Sequence, residues 1–303
     1  MEKVLFRLRV ARAVLKSWPF GRGRYKIQHL LLGGFTDWPD SADIDFKFGR
    51  FINASLRPWP YGYRDLYLRG LMEELETRAW RSVLRRGDRV FDGGANWGYY
   101  TLLASKLVGA EGQVFAFEPV PATAAALRRN VDASGCRNVR VIEAGLAASA
   151  GSVTLNLFAE DPTGLQTSVS RQEALTVVAS VQCETLSLDE FGVEHARPTL
   201  VKLDVEGCEL PALQGAAHLL RSEAAPIITF EWNETTAKGA GYHPQAIVAF
   251  LAGFGYECYL AVPQGFAPFA VRTDITDWSP MVWAFRPGLA EHAERLGKTR
   301  FVG

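Results

Sequence analysis

The stretch from Arg89 to Thr101, which reads RVFDGGANWGYYT, decides the fold of this chain of 303 residues. It opens with the apolar residues Val90 and Phe91, passes through an acid and a glycine-rich turn, and continues into a helical pattern over 99–108. This order predicts a β-strand, a tight turn and an α-helix. The glycines let the backbone approach a ligand, and the start of the helix directs free N–H groups and a positive dipole end at the same place. A ligand that carries a carboxylate suits such a site.

A second apolar run, Gln113–Phe117, also ends in an acid, Glu118. Asp92 and Glu118 are separated by about the length of one βαβ unit. An acid at the tip of the second strand is placed to accept hydrogen bonds from ribose hydroxyls. The two acids together predict a nucleoside site on a doubly wound α/β sheet. The alternative is a strand, turn and helix that bind no ligand.

The spacing of the glycines bears on which nucleoside binds. The dinucleotide fingerprint is G-x-G-x-x-G, and here its second glycine position is taken by Ala95 between Gly93 and Gly98. A nicotinamide-dependent dehydrogenase is therefore disfavoured. An acid on the first strand followed by a looser glycine turn favours a ligand with an amino-acid end, and S-adenosylmethionine is such a ligand.

The composition is that of an ordinary globular protein. Lysine plus arginine and aspartate plus glutamate each number 33, so the net charge is zero and gives no indication of a nucleic-acid partner. The four cysteines are scattered without a C-x-x-C pair, which favours reduced thiols and disfavours a zinc site. No apolar run reaches the roughly 20 residues that span a bilayer. We expect a cytoplasmic protein.

Two N-terminal segments carry no nucleotide signature. Residues 1–16 form a basic amphipathic pattern, which could contact the anionic inner face of a membrane; packing on the domain or on a second subunit of a homo-oligomer is the favoured alternative. Residues 17–67 are rich in aromatics and either cover a sugar-like substrate or fill a gap on the sheet. We place a helix and aromatic cap at 1–66, the main domain at 67–288 and a polar tail at 289–303.

The remaining pattern alternates strands with helices. It predicts helices over 68–87, 121–134, 208–220 and 244–251, antiparallel strands at 151–158 and 175–181, and a polar loop at 159–173. Such alternation predicts a mostly parallel sheet with helices on both faces, and ligands bind such sheets at the carboxyl ends of the strands. Five acids fall at predicted strand ends: Asp92, Glu118, Glu143, Asp204 and Glu231. If 199–207 is extended, Lys202, Asp204 and Glu206 share one face.

Several of these pieces together resemble the FkbM family of S-adenosylmethionine-dependent methyltransferases. The pieces are 92–101, 115–119, 184–189, 201–209 (VKLDVEGCE), 213–216 and 228–231. The resemblance implies a Rossmann-like class I methyltransferase with a mostly parallel seven-stranded sheet, S-adenosylmethionine as cofactor, and methyl transfer to oxygen. It covers about 68–260, so the small aromatic-rich N-terminal segment lies outside it.

The resemblance also implies a set of cofactor contacts. Asn96 and Gly98 would line the methionine end, and Glu118 would hold the ribose. Glu143 and Ala144 are placed to border the adenine by their own position, at the end of the predicted strand 138–144. Glu73 matches a position that is often acidic in the family. The complete predicted set is Glu73, Asp92, Gly93, Gly94, Ala95, Asn96, Gly98, Tyr99, Thr101, Glu118, Pro119, Glu143, Ala144 and Asp204.

Methyl transfer to an alcohol needs help with the proton, because an alcohol does not ionise unaided near neutral pH. In the favoured hypothesis Asp204, Glu206 or His243 is the base and Lys202 steadies the charge. In the second, Asp204, Glu231 and Asn233 hold a Mg²⁺-like ion, since oxygen ligands suit a hard cation. The alternatives without a catalytic role are a buried Lys202–Glu206 pair and a His243 that only borders a helix start. The candidate catalytic residues are Lys202, Asp204, Glu206, Glu231 and His243.

Three functions are compatible with the sequence. The first is O-methylation of a sugar in a glycan or glycosylated metabolite, towards which the aromatic N-terminal segment leans. The second is O-methylation of a polyketide-type natural product. The third is a cofactor-binding module without catalysis, which the intact polar set around Asp204 argues against.

Overall fold

The computed structural model describes residues 10, 13–14, 44–48, 52–56, 72–158, 167–168, 176–195, 197–271 and 279–297. Most of the predicted aromatic cap lies outside these residues. Within it, β1 (Ile44–Phe48) and β2 (Ile52–Leu56) pair antiparallel. Across the described ranges, no helix is both long enough and apolar enough to cross a bilayer.

The main sheet carries the predicted doubly wound core. In spatial order its strands are β13 (Gly265–Pro268), β12 (Glu257–Val262), β14 (Met281–Phe285), β11 (Ile227–Glu231), β10 (Leu200–Leu203), β3 (Arg89–Gly93), β4 (Gln113–Phe117) and β5 (Val139–Ile142). The five strands from β11 to β5 run parallel, and every pairing from β11 out to β14, β12 and β13 is antiparallel. The sheet has eight strands in the described chain, not seven, because the chain turns between Val262 and Gly265 and adds β13 at the edge.

Helices cover both faces of this sheet, as predicted. Their bounds are α1 Glu74–Val83, α2 Tyr99–Val108, α3 Pro121–Ala133, α4 Leu188–His195, α5 Glu209–Gln214, α6 Ala217–Arg221, α7 Glu234–Gly239, α8 Gln245–Ala252 and α9 Ala290–Gly297. Neighbouring strand residues enter opposite cores: Val90 packs with α1 and α2, whereas Phe91 packs with α4 and α5. This alternation follows from the two-residue period of a strand.

A second sheet lies beside the first and contains β6 (Gly145–Leu146), β9 (Val177–Leu186), β7 (Gly151–Phe158) and β8 (Thr167–Ser168) in that order. Antiparallel pairing of β7 with β9 confirms the prediction, although β9 extends to Leu186 rather than ending at 181. The short β8 falls within the predicted polar loop.

Two predicted helices differ from those observed. The helix predicted over 68–87 occupies 74–83, because Glu73 has a left-handed φ of 43° and Leu84 is extended. The helix predicted over 208–220 is split into α5 and α6. The split coincides with Gly215, where a Cβ would lie 2.2 Å from the Ala147 carbonyl oxygen. Asp189 then caps α6 by accepting hydrogen bonds from two of its N–H groups.

The C-terminal segment predicted as a polar tail contains α9, and this helix docks on the domain. Arg295 is buried and donates to both carboxylate oxygens of Asp88 at 2.6 and 2.9 Å and to the Val83 carbonyl at 2.7 Å. Residues 290–297 are therefore part of the packed structure. The boundaries at 66/67 and 288/289 stay predictions.

Candidate active site

The carboxyl ends of β3 and β10 meet at the glycine turn. Gly94 has a φ of +68°, and a Cβ there would lie 1.8 Å from the carbonyl oxygen of Asp204. Only glycine allows this approach, because any side chain would collide with the neighbouring backbone. The turn thus brings Asn96 and Asp204 to the same edge of the sheet.

Asp92 faces the protein interior rather than the edge of the sheet. Its side chain is fully buried; one carboxylate oxygen accepts a 2.6 Å hydrogen bond from the Thr101 hydroxyl, and the other lies 3.4 Å from Lys202 Nζ. Both Asp92 and Thr101 were predicted to contact the cofactor. Through these contacts both residues hold the turn, and neither lines the cavity, so their contact with the cofactor stays a prediction.

Lys202 ties β10 to the glycine turn. Its Nζ donates to the carbonyl oxygens of Gly93 and Gly94 at 3.3 and 3.2 Å, and it lies 3.4 Å from Asp204 Oδ2. Burial lowers the pKa of Lys202, but the charges of Asp204 and Asp92 outweigh burial and hold the pKa above its ordinary value. The amine therefore stays protonated. Its ion-pair partners are Asp92 and Asp204, whereas the alternative considered from the sequence was Glu206.

Glu118 stands at the carboxyl end of β4, as predicted. It is buried, and its two carboxylate oxygens accept hydrogen bonds from the N–H groups of Asn96 at 2.9 Å and Val120 at 3.0 Å. Burial raises its pKa to about 7, against the opposing effect of these two bonds. Each oxygen keeps a further lone pair, so a fixed carboxylate is available to a ligand hydroxyl.

A cavity opens at this edge of the sheet. The predicted site residues that line it are Gly94, Asn96, Glu118, Pro119, Ala144, Asp204 and Glu206. The lining residues that the sequence analysis missed are Phe117, Gly145, Leu146, Val153, Leu155, Thr185, Val205 and Cys208. Five of these come from the second sheet: Gly145, Leu146, Val153, Leu155 and Thr185. Alternation over 151–158 predicted the strand, and its inward residues were the available signal for an apolar wall.

Other predicted cofactor residues are placed behind the cavity wall. The Ala95 N–H donates to Phe117 O, and Gly98, with φ +102°, packs against Leu127. The Tyr99 hydroxyl is hydrogen-bonded to Thr77 Oγ1 at 2.7 Å. These three residues and Gly93 form the scaffold of the turn and do not line the cavity.

The two outlying acids have protein partners. Glu143 accepts a 2.8 Å hydrogen bond from Arg128 in a half-exposed ion pair and does not line the cavity, whereas its neighbour Ala144 does. Glu73 accepts a hydrogen bond from the Tyr100 hydroxyl. Glu73 is exposed as a whole residue, yet its carboxylate is desolvated where it meets Tyr100, and this raises its pKa.

Three carboxylates converge beside the cavity. One oxygen each of Asp204, Glu206 and Glu231 lies within 4.8 Å of the others. β10 ends at Leu203 and Glu206 has a left-handed φ of 50°, so the stretch is not extended to 207 and the condition for a shared face of Lys202, Asp204 and Glu206 is not met. Burial and then the neighbouring carboxylates raise the pKa of Glu206 well above its ordinary value and the pKa of Glu231 to about 8.

Asn233 and His243 lie at the starts of helices α7 and α8. The Asn233 side-chain oxygen accepts from the N–H groups of Thr235 and Thr236 and caps α7, while its amide donates to Glu231. Asn233 is thus engaged as a helix cap, its place in the predicted metal set stays a prediction, and Glu206 joins Asp204 and Glu231 in the observed carboxylate group. The exposed His243 accepts from the Gln245 N–H at 3.1 Å and is not a member of the carboxylate group.

The sequence model of the methyltransferase FkbM domain matches residues 92–258, which is more than half of the chain. All cavity-lining residues lie inside this range.

Three curated relatives were compared with the chain. It is 31% identical over 192 residues to hexuronic acid methyltransferase AglP of Haloferax volcanii, covering 61% of this chain and 71% of the relative. It is 29% identical over 143 residues to methyltransferase 1 of Beauveria bassiana, covering 42% and 57%. It is 41% identical over 128 residues to a protein-L-isoaspartate O-methyltransferase of Ignicoccus hospitalis, covering 39% and 60%. The chain therefore spans less than two thirds of the last two.

Proposed function

This chain belongs to the FkbM methyltransferase family, and from that premise we propose that it transfers a methyl group from S-adenosylmethionine to a hydroxyl of a sugar. The observation that carries the proposal is a cavity with a fixed carboxylate, Glu118, on one wall and the carboxylates of Asp204 and Glu206 on another. The first suits a ribose, and the other two suit the reacting end.

The cofactor proposal rests on shape and polarity. Glu118 is held by two backbone N–H groups, so it can accept ribose hydroxyls without reorganising. Phe117, Ala144 and Leu146 give the cavity apolar surface on which a purine ring can pack. The Asp204 carboxylate, which also lines the cavity, favours the positive sulfonium by charge attraction.

The chemical step requires an acceptor oxygen in line behind the methyl group and a group that takes its proton. Asp204 and Glu206 both line the cavity, so the carboxylate of either residue lies where it can take the proton. We assign the base to this pair. Lys202 stays protonated and holds Asp204 and the glycine turn in register.

A metal-assisted variant of the same reaction is the second candidate. Asp204, Glu206 and Glu231 offer three oxygen ligands close together, which fits a hard cation such as Mg²⁺. Such an ion would lower the pKa of an acceptor hydroxyl. The three carboxylates would hold it, and Asn233 would act through its hydrogen bond to Glu231.

The sugar acceptor is supported by the relative that is named for hexuronic acid. The experiment incubates the chain with isotopically methyl-labelled S-adenosylmethionine and a panel of free sugars, uronic acids and nucleotide sugars, and follows the gain of one methylene by mass spectrometry. A polyketide alcohol and an isoaspartyl peptide complete the panel. Transfer to a sugar hydroxyl is expected; transfer only to the alcohol or the peptide contradicts the sugar. If the chain binds S-adenosylmethionine but transfers a methyl group to none of these compounds, the remaining function is that of a cofactor-binding module without catalysis.

We also propose that residues 1–16 contact an anionic membrane surface or a second copy of the chain. Of this segment the structure describes Val10, Ala13 and Val14, which are helical and exposed. Sedimentation with anionic and with neutral vesicles, and light scattering for the mass in solution, decide between the two.

A further inference from the structure

The turn that follows β10 carries two of the three site carboxylates in a demanding conformation. Glu206 and Gly207 have φ angles of 50° and 103°, both in the left-handed region. For a residue with a side chain, such as Glu206, this conformation is strained, because Cβ comes too close to the following carbonyl oxygen. The turn therefore needs contacts that hold it, and these contacts set where Asp204 and Glu206 lie.

Glu209 supplies those contacts from the first turn of α5. Its side chain is buried, and its carboxylate accepts hydrogen bonds from the Val205 N–H at 2.9 Å and the Gly207 N–H at 3.1 Å. Val205 and Gly207 flank Glu206 directly. The carboxylate of Glu209 thus holds the backbone on both sides of Glu206, which lines the cavity.

Tyr242 fixes the Glu209 carboxylate from the other side. Its hydroxyl donates to Glu209 Oε2 at 3.0 Å, and its own N–H is bonded to Ala237 O. The turn also packs closely on α7, because a Cβ on Gly207 would lie 2.9 Å from the Thr236 carbonyl oxygen. The chain between α7 and α8 is therefore connected to the turn through one carboxylate.

We propose that Glu209 and Tyr242 are positioning residues that hold the 204–207 turn so that Asp204 and Glu206 meet the acceptor. The inference rests on the proposed function for its catalytic consequence. Neither residue lines the cavity, so neither needs to touch the cofactor or the acceptor. A carboxylate that accepts three donors is used as an acceptor only, which fits the ionised form.

Replacement of Glu209 by glutamine separates position from charge. The side chain introduced by Glu209→Gln keeps the size of the original but puts one N–H₂ group where a donor already points. Because Glu209 does not line the cavity, we expect kcat to fall while the dissociation constant of S-adenosylmethionine stays close to that of the parent, a split that a general structural defect would not produce.

The experiment compares Glu209→Gln and Tyr242→Phe with a matched pair at another site, Glu257→Gln and Tyr259→Phe. The control pair shares the same tyrosine-to-glutamate hydrogen bond, at 2.7 Å, on the surface. Three measurements are made on the full chain: amide hydrogen exchange of Val205 and Gly207, the dissociation constant of S-adenosylmethionine, and kcat with the acceptor from the sugar panel.

Faster exchange at both amides and a kcat lower by roughly tenfold to a hundredfold are expected for the site variants, because small misplacements of catalytic groups cost that much. The control variants should match the parent. Unchanged exchange in Glu209→Gln overturns the inference, as does faster exchange with unchanged kcat. If the parent binds the cofactor but methylates nothing, the proposed function fails, while the exchange data still decide whether Glu209 holds the turn.

Discussion

Lys202 and Asp92 lie side by side on adjacent parallel strands, with Nζ 3.4 Å from Oδ1 and both side chains buried. The same lysine binds two carbonyls of the glycine turn and approaches Asp204. This buried ion pair therefore joins β3, which leads into the glycine turn, to β10, which is followed by the candidate base Asp204.

Removal of the lysine should destabilise the fold strongly. We expect Lys202→Met to lower the free energy of unfolding by about 3–5 kcal/mol, because it leaves the Asp92 charge buried without a cation. The double variant with Asp92→Asn should regain part of this loss. Denaturant unfolding measures both, and Lys106→Met, an exposed lysine, is the control. Equal losses for the two lysine variants would contradict the buried-pair role.

Gly94 and Gly87 test the close approach of β3 to the end of β10. Both have positive φ, 68° and 86°, but a Cβ on Gly94 would meet Asp204 O at 1.8 Å, whereas a Cβ on Gly87 meets nothing within 4 Å. Gly87→Ala should cost about 1–2 kcal/mol from conformation alone. Gly94→Ala should cost more and abolish cofactor binding. Thermal unfolding measures the stability of each variant, and titration calorimetry measures its cofactor binding. Similar losses of stability and of binding in the two variants would contradict the close approach of Gly94 to Asp204.

Local pattern was enough to predict the elements that position the site. The turn around Gly94 and helices α2 and α3 were expected at their observed places, because glycine, proline and apolar spacing act within a few residues. The acids at strand ends also meet as expected for Glu118 and Asp204, since parallel strands finish at one edge.

The side-chain directions could not be predicted. Asp92 turns inward because Lys202 faces it from a strand more than a hundred residues later, and the sequence does not contain that register. Glu206 leaves the predicted face because the chain adopts a left-handed turn there. Asn233 becomes a cap because α7 begins immediately after it. Each difference arises from a tertiary contact or a turn that periodicity does not report.

Glu118 and Glu143 separate two predicted cofactor contacts. We expect Glu118→Gln to weaken S-adenosylmethionine binding by roughly tenfold to a hundredfold, because a hydrogen bond to a charged group is worth about 1.5–3 kcal/mol. Glu143→Gln should leave affinity unchanged, since Glu143 pairs with Arg128 at the surface. Titration calorimetry measures the affinity of each variant for S-adenosylmethionine, with the protein concentrations corrected to the same folded fraction. A loss confined to Glu143→Gln would reverse the assignment of the two acids.

The stability of the chain should fall below about pH 6.5 through His292. Its Nδ1 accepts from the Arg286 N–H at 2.8 Å, so Nε2 carries the proton and donates to Ala225 O at 2.8 Å. Burial lowers the pKa of His292 from 6.5, and Arg286 and Arg295 nearby act in the same direction, while the Ala225 bond and Glu291 oppose it. Because the unfolded chain binds the proton first, this stabilisation is present above that pH and is lost as pH falls.

The His292 contribution must be isolated from the buried acids. The pKa values of Glu118 and Glu231 are raised to about 7 and 8 in the folded chain. Protonation of these two acids therefore increases the free energy of unfolding as pH falls, which is opposite to the effect of His292. We therefore compare unfolding free energies of the parent and His292→Gln across this range. Their difference should shrink towards acidic pH, whereas exposed His218→Gln should track the parent. A constant difference for His292→Gln would refute the titration.

Asp204 distinguishes the base from the metal-assisted route. Asp204→Asn should keep cofactor affinity within an order of magnitude and lower turnover by about 10²–10⁴-fold, which is the usual contribution of a positioned base. The exposed helix residue Asp132→Asn is the control. The two routes differ when a chelator is added to the parent: a carboxylate base keeps its turnover, whereas a cation held by Asp204, Glu206 and Glu231 is stripped and Mg²⁺ restores the rate. Full turnover by Asp204→Asn would exclude Asp204 both as the base and as a ligand of a required metal ion, and would leave Glu206 as the base of the pair.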